Sequence, residues 1–145
     1  MSVERSFDRA IDKMIRHNWD CIYVMVDVHD TMIKASYSDK ETFEWFPQAK
    51  ETLRLLSDMR MVKLILWTST YRDKIDKYIS AFKDEGIKFD FINVNTETTN
   101  NDLSCFDEKT YFNVGIDDKF GFDAEHDWGP LYDYLVEAIR LDRIK

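Results

Sequence analysis

Two short segments carry the residues best suited to chemistry. In the first, the uncharged run Cys21-Ile-Tyr-Val-Met-Val26 ends in Asp27-Val28-His29-Asp30-Thr31, which offers two carboxylates, an imidazole and a hydroxyl. In the second, Tyr111-Phe-Asn-Val-Gly-Ile116 ends in the pair Asp117-Asp118. Apolar runs of this kind suit strands buried on both faces, as parallel strands are. Open α/β sheets gather their ligands at the C-terminal ends of such strands. Together the two segments would bring Asp27, Asp117 and Asp118 to one sheet edge. Three carboxylates there suit a hard divalent cation such as Mg²⁺, which takes oxygen ligands and keeps positions for water and substrate phosphate. Either segment alone has a plainer explanation, because Asp also starts turns and caps helices. The conjunction is what points to a site.

The elements that must position these residues follow from hydrophobic periodicity. Val3, Phe7, Ile11, Met14, Ile15 and Trp19 recur at helical spacing over residues 3 to 19, so an amphipathic helix lies on the sheet ahead of the first strand. A polar region, Met32 to Trp45, follows that strand. A second helix opens at Pro47, a residue suited to a first helical position, with Phe46, Ala49, Leu53 and Leu56 on one side. Val62 to Trp67 is the second strand and ends in Thr68-Ser69-Thr70. The next helix runs from about Tyr71 to Glu85, with Ile75, Tyr78, Ile79 and Phe82 inward and Gly86 as its stop. Phe89 and Phe91-Ile-Asn-Val94 suggest a third strand. Asn95 to Asp107 reads as a surface loop near the ligand edge. The closing helix runs from Pro130 through Leu131, Leu135, Ala138 and Ile139.

Strands alternating with helices predict an α/β, Rossmann-like three-layer sandwich with a parallel sheet wrapped on both faces. Right-handed crossovers allow the order 3-2-1-4, with strand one between strands two and four. Asp27, Thr68 and Asp117 then converge at the switch point. At 145 residues and 44% hydrophobic content the chain fits one domain with its own core, and it has no linker-like or repeated stretch. Cys21 in a predicted core strand and Cys105 in a polar loop make no disulfide framework, which fits a reducing interior. No run reaches the length of a membrane span, and the N-terminal stretch is charged and amphipathic where a secretory signal would be apolar. The expectation is a soluble cytoplasmic protein with no membrane partner. A net charge of −8 argues against a large nucleic-acid footprint, which needs clustered Lys and Arg.

The ordered motifs resemble those of the haloacid dehalogenase superfamily of phosphohydrolases. They are Asp27-Val28-His29-Asp30-Thr31, Thr68 after Leu64-Ile-Leu-Trp67, Lys109 ahead of the last strand, and Gly115-Ile116-Asp117-Asp118. The resemblance spans residues from about 21 to 140, including the Asp127-Trp128 stretch, and is to a small capless subgroup. It implies a Mg²⁺-dependent phosphomonoester hydrolase in which Asp27 attacks phosphorus and forms an aspartyl-phosphate. It further implies Mg²⁺ held by Asp27, the main-chain carbonyl of His29 and Asp117, with Asp118 direct or through water. Thr68, Ser69 and Lys109 would hold the phosphoryl oxygens.

Two positions depart from the family pattern. Where an acid/base Asp is usual two residues after the nucleophile, this chain has His29, whose imidazole can shuttle protons near neutrality. Where Gly is usual, it has Asp30, a residue that tolerates left-handed backbone and offers a second carboxylate for the acid/base role. The alternative reading is a catalytically weak or inactive relative that binds a phosphorylated ligand or a partner chain. Only 36 residues separate Thr31 from Thr68, and 40 separate Thr68 from Lys109, too few for a cap domain beside the expected elements. An uncapped site suggests either a bulky substrate, such as a nucleic-acid end or phosphoprotein, or a lid formed by the 32 to 46 and 95 to 108 loops, while the acidic balance favours a phosphorylated small molecule or nucleotide. Tyr37, Phe43, Trp45 and Phe46 are candidates for stacking on a base, although aromatic residues beside a helix start are more often packing. His126 and Asp127 are placed at the site edge, Asp127 more simply as a helix cap. His17 reads as a surface residue.

Overall fold

The structure is a computed structural model that describes residues 2–35, 43–101, 103–106 and 109–145. Its elements are α1 (Val3–His17), β1 (Ile22–Asp27), α2 (Ala49–Asp58), β2 (Val62–Trp67), α3 (Arg72–Asp84), β3 (Phe91–Ile92), β4 (Val114–Ile116), a 3₁₀ turn (Asp118–Phe120) and α4 (Trp128–Arg140). The sheet order is β3-β2-β1-β4 with every neighbour parallel, the order expected among those that right-handed crossovers allow. The chain is thus an α/β protein with a Rossmann-like layered arrangement. No helix among the described residues is long and apolar enough to cross a membrane.

Strand alternation sorts the sheet residues into two faces. Ile22, Val24 and Val26 of β1, with Leu64 and Leu66 of β2, share one buried cluster with all four helices, among them Phe7 of α1, Leu53 of α2, Phe82 of α3 and Trp128 of α4. The opposite face carries Tyr23, Met25 and Asp27. There Tyr23 lies tilted against Phe91 and edge-on to Tyr111, which in turn meets Phe106 edge-on. Aromatic side chains of the β3 to β4 connection therefore cover part of this face.

Several element ends differ from the periodicity, each for a local reason. Pro47 does not open α2: Gln48 stands between them at φ 63, so Pro47 falls in a turn and the helix starts at Ala49. In α4 the helix begins two residues before Pro130, which sits in the first turn, where its missing N–H costs no intrahelical bond. Ile15 of α1 is 55% exposed and Ala10 is buried in its stead. At 3.6 residues per turn Ile15 stands roughly 80° round from Phe7, at the margin of the stripe. β3 is only two residues long because Asn93 turns left-handed at φ 59. Cys21 precedes β1 and is only half-buried, and both cysteines are free.

Candidate active site

The end of β1 and the loop behind it form the centre. Thr31 Oγ1 donates to Asp27 Oδ2 at 3.0 Å, lies 3.4 Å from Asp118 Oδ1, and accepts the Asp118 backbone N–H at 3.1 Å. One hydroxyl therefore joins the β1 loop to the β4 loop. The Trp128 indole, fully buried at the start of α4, donates to the Thr31 carbonyl at 2.8 Å and anchors the loop from beneath. Asp30 holds φ 61, the left-handed backbone expected of a residue in a glycine position. Its Oδ1 accepts the Ala35 N–H at 3.0 Å, so this carboxylate serves the turn.

Asp27, Asp117 and Asp118 converge as their sequence positions predict: one oxygen of each lies within 4.8 Å of the others. Asp117 is buried, 4% exposed, and accepts the Lys119 N–H at 3.0 Å. Burial first, and the neighbouring Asp117 charge second, push the Asp27 carboxyl up to about 6. Asp117 is likewise raised, by burial and by its contact with Asp118. These carboxylates repel one another, and among the described residues no Lys or Arg forms an ion pair with them. A donor set made only of oxygen, partly buried and carrying excess negative charge, fits a hard divalent cation of the Mg²⁺ type.

His29 reaches α3 through Tyr78. Its Nε2 lies 3.1 Å from the Tyr78 hydroxyl, and the two rings meet edge-on at 5.5 Å. Phe43 packs edge-on against the other side of Tyr78 at 5.4 Å. The sequence offered no signal for this partnership, since Tyr78 sits on the inward stripe of its helix like any core residue.

Thr68 is clasped by Asn93, a residue that no sequence motif singles out. Asn93 accepts the Thr68 N–H at 2.8 Å and donates from Nδ2 to the Thr68 carbonyl at 3.0 Å. The Thr68 hydroxyl bonds within its own loop, to Thr70 Oγ1 at 2.8 Å and to the Thr70 N–H at 3.1 Å, so it is not the cap of α3, whose N-cap is Tyr71. Ser69 is exposed. Lys109 is also exposed, with no ion pair among the described residues, but its neighbour Thr110 donates to the Asn93 carbonyl at 2.7 Å. Asn93 thus ties the Thr68 loop to the Lys109 segment, whereas among the described residues no hydrogen bond or ion pair joins either side chain to the carboxylates.

Of the stacking candidates, Trp45 packs edge-on against Phe82 under Lys50, and Phe46 is buried beneath Lys34. Tyr37 lies outside the described residues. His126 is bonded to Asp123 at 2.9 Å, apart from the cluster. Asp127 occupies the N-cap position of α4, but its carboxylate accepts the Asp123 N–H at 2.7 Å and caps no helical N–H. His17 is exposed and stacks on Trp19.

No protein-family model and no curated protein matches the chain. Among solved structures it is similar to that of a conserved protein coded by a locus of Bacteroides thetaiotaomicron. The identity is 27%, over 84% of this chain and 92% of that one, with a TM-score of 0.61. The likeness supports the α/β fold over most of both chains.

A cleft of about 850 Å³ opens at the N-terminal end of β1 and β2 between Trp19, Cys21, Tyr23, Arg60, Lys63 and Glu97. Within it Glu97 accepts from the Tyr23 hydroxyl at 2.9 Å and pairs with Lys63. Burial raises the Cys21 thiol, which disfavours its thiolate. The groups able to do chemistry lie at the other end of the strands.

Proposed function

We propose that the protein is a Mg²⁺-dependent phosphomonoester hydrolase working through an aspartyl-phosphate on Asp27. The observation that carries this reading is the convergence of the Asp27, Asp117 and Asp118 carboxylates at adjacent parallel strand ends, bridged by Thr31. The order of the motifs along the chain supports it, and so does the raised Asp27 carboxyl, a sign of charge left for a cation to offset.

In this reading a carboxylate oxygen of Asp27 attacks phosphorus as the ester P–O bond breaks. The departing oxygen takes a proton from His29. Water then attacks the phosphorus of the acyl phosphate, passing a proton to His29, and the bond to Asp27 breaks to release inorganic phosphate. Tyr78 holds His29 Nε2, so Nδ1 is the nitrogen without a described partner. Asp117 and Asp118, with Asp27 and the His29 carbonyl, would hold Mg²⁺, which when bound screens the phosphoryl charge and orients the group. Thr68 and Lys109 would bind phosphoryl oxygens, Asn93 setting the position of the loop that carries Thr68.

The test is phosphate release from a panel of phosphomonoesters, with Mg²⁺ or with chelator, for wild type and Asp27→Asn. Mg²⁺-dependent release that falls to background in the variant is expected. Mg²⁺ raising the Tm with no release from any ester would instead favour a non-catalytic phosphoryl-binding protein.

A further inference from the structure

Resting on that reading, we infer that the substrate carries a planar aromatic ring next to its phosphoryl ester, and that Trp67 is the surface on which the ring stacks. The inference starts from register. Asp27 and Trp67 are direct Cα partners across β1 and β2, so their side chains leave the same face of the sheet on strands ~4.8 Å apart. Large hydrophobic side chains at strand ends are ordinarily covered, yet this indole is 37% exposed beside the carboxylate assigned as nucleophile.

A second aromatic side chain stands on the other side of Asp27. Gly115 of β4 is the register partner of Met25, which shares the Asp27 face, and a Cβ at Gly115 would come within 2.8 Å of the Phe120 ring. Phe120 therefore lies over β4 on that face, and it is 58% exposed. With the order β2-β1-β4, the carboxylate strand runs between the two exposed aromatics. Among the described residues neither Trp67 nor Phe120 pairs with another ring. Trp45 and Phe46, by contrast, are both engaged in packing. A ring joined to the phosphoryl group through one or two atoms can reach the neighbouring strand while phosphorus faces Asp27. An indole is the best of the side chains for stacking on such a ring. The net charge of −8 disfavours a long phosphodiester chain, so the ring belongs to a small ester.

The experiment compares benzyl phosphate with cyclohexylmethyl phosphate. The two are close in size and in leaving-group basicity, and only one is planar. With Mg²⁺, wild type should favour the benzyl ester about five- to tenfold in kcat/KM, chiefly through KM. Trp67→Leu should erase the preference, and Trp67→Phe should restore part of it. Equal kcat/KM for the two esters in wild type, or a preference that survives Trp67→Leu, would overturn the inference. Binding of benzylphosphonate and cyclohexylmethylphosphonate to wild type by calorimetry separates this inference from the hydrolase reading. Tighter binding of the benzyl compound without turnover of either ester would uphold the stacking surface and reject the hydrolase. Turnover of both esters with equal phosphonate binding would do the reverse.

Discussion

At Asp30 one residue does two jobs for the turn after β1. It accepts left-handed backbone at φ 61, and its carboxylate captures the Ala35 N–H at 3.0 Å. Short polar side chains that bond locally are the ones that tolerate this region. Asp30→Ala should therefore cost about 1 to 2 kcal/mol, through backbone strain and the lost hydrogen bond. Asp30→Gly should cost roughly half as much, because glycine adopts that φ freely. Urea unfolding of both variants checks the order, and an equal loss would mean that backbone strain is absent. The left-handed tolerance was legible in the sequence, since it belongs to the residue type. The destination of the carboxylate was not, because the partner N–H is placed by the bridge between Ile33 and Trp45.

Among the elements, α4 does the most to hold the site although it supplies none of the residues assigned to chemistry. Its first residue, Trp128, is wholly buried and spends its only polar hydrogen on the Thr31 carbonyl at 2.8 Å. Thr31 in turn joins Asp27 to Asp118. Trp128→Phe would leave that carbonyl buried without its donor and open space in the core. A loss of about 2 to 4 kcal/mol is expected, together with weaker Mg²⁺ binding if the loop loosens. Denaturant unfolding and Mg²⁺ calorimetry on the same variant read the two effects separately. The apolar periodicity of α4 was plain from Leu131 to Ile139, but a tryptophan ahead of it gives no sign of reaching a loop 97 positions earlier. The strand ends misled for a related reason. Asp90 and Asn113 bond the Leu64 and Tyr23 N–H groups through their side chains, so sheet-like pairing continues where regular strand does not.

Over the whole molecule, the cost of gathering acids at one edge should be visible in the pH dependence of stability. Asp27 titrates at about 6 in the folded chain, against 3.8 for an aspartate free in water, the value expected of the unfolded chain. Between those values the folded state binds the proton more tightly, so metal-free stability falls as pH rises through this window and levels off above it. The half-buried carboxyl is still reached by solvent, and a loss on the order of 2 kcal/mol remains after that screening. Asp27→Asn removes the titration. The stability difference between the variant and wild type, both free of metal, should grow in the variant's favour from pH 4 to pH 7. A difference independent of pH would show that the carboxyl is not strained. Saturating Mg²⁺ should close the gap at pH 7, since a cation that binds only the folded carboxylates stabilises that state by mass action.

What the sequence determined by itself was local: which runs are strands and helices, their alternation, and the arrival of charge where apolar runs stop. Alternation and handedness allow the order 3-2-1-4, and in that order Asp27, Asp117 and Asp118 meet, because parallel strands deliver their ends to one edge. Tertiary structure alone decided which side chains surround them. Tyr78 beside His29, Asn93 around Thr68, Trp128 under Thr31 and Trp67 next to Asp27 are contacts between segments that periodicity treats as interchangeable. Hydrophobic spacing specifies a face, whereas a hydrogen bond or a register pair needs the distance between two elements, and that distance exists only once the helices have packed on the sheet.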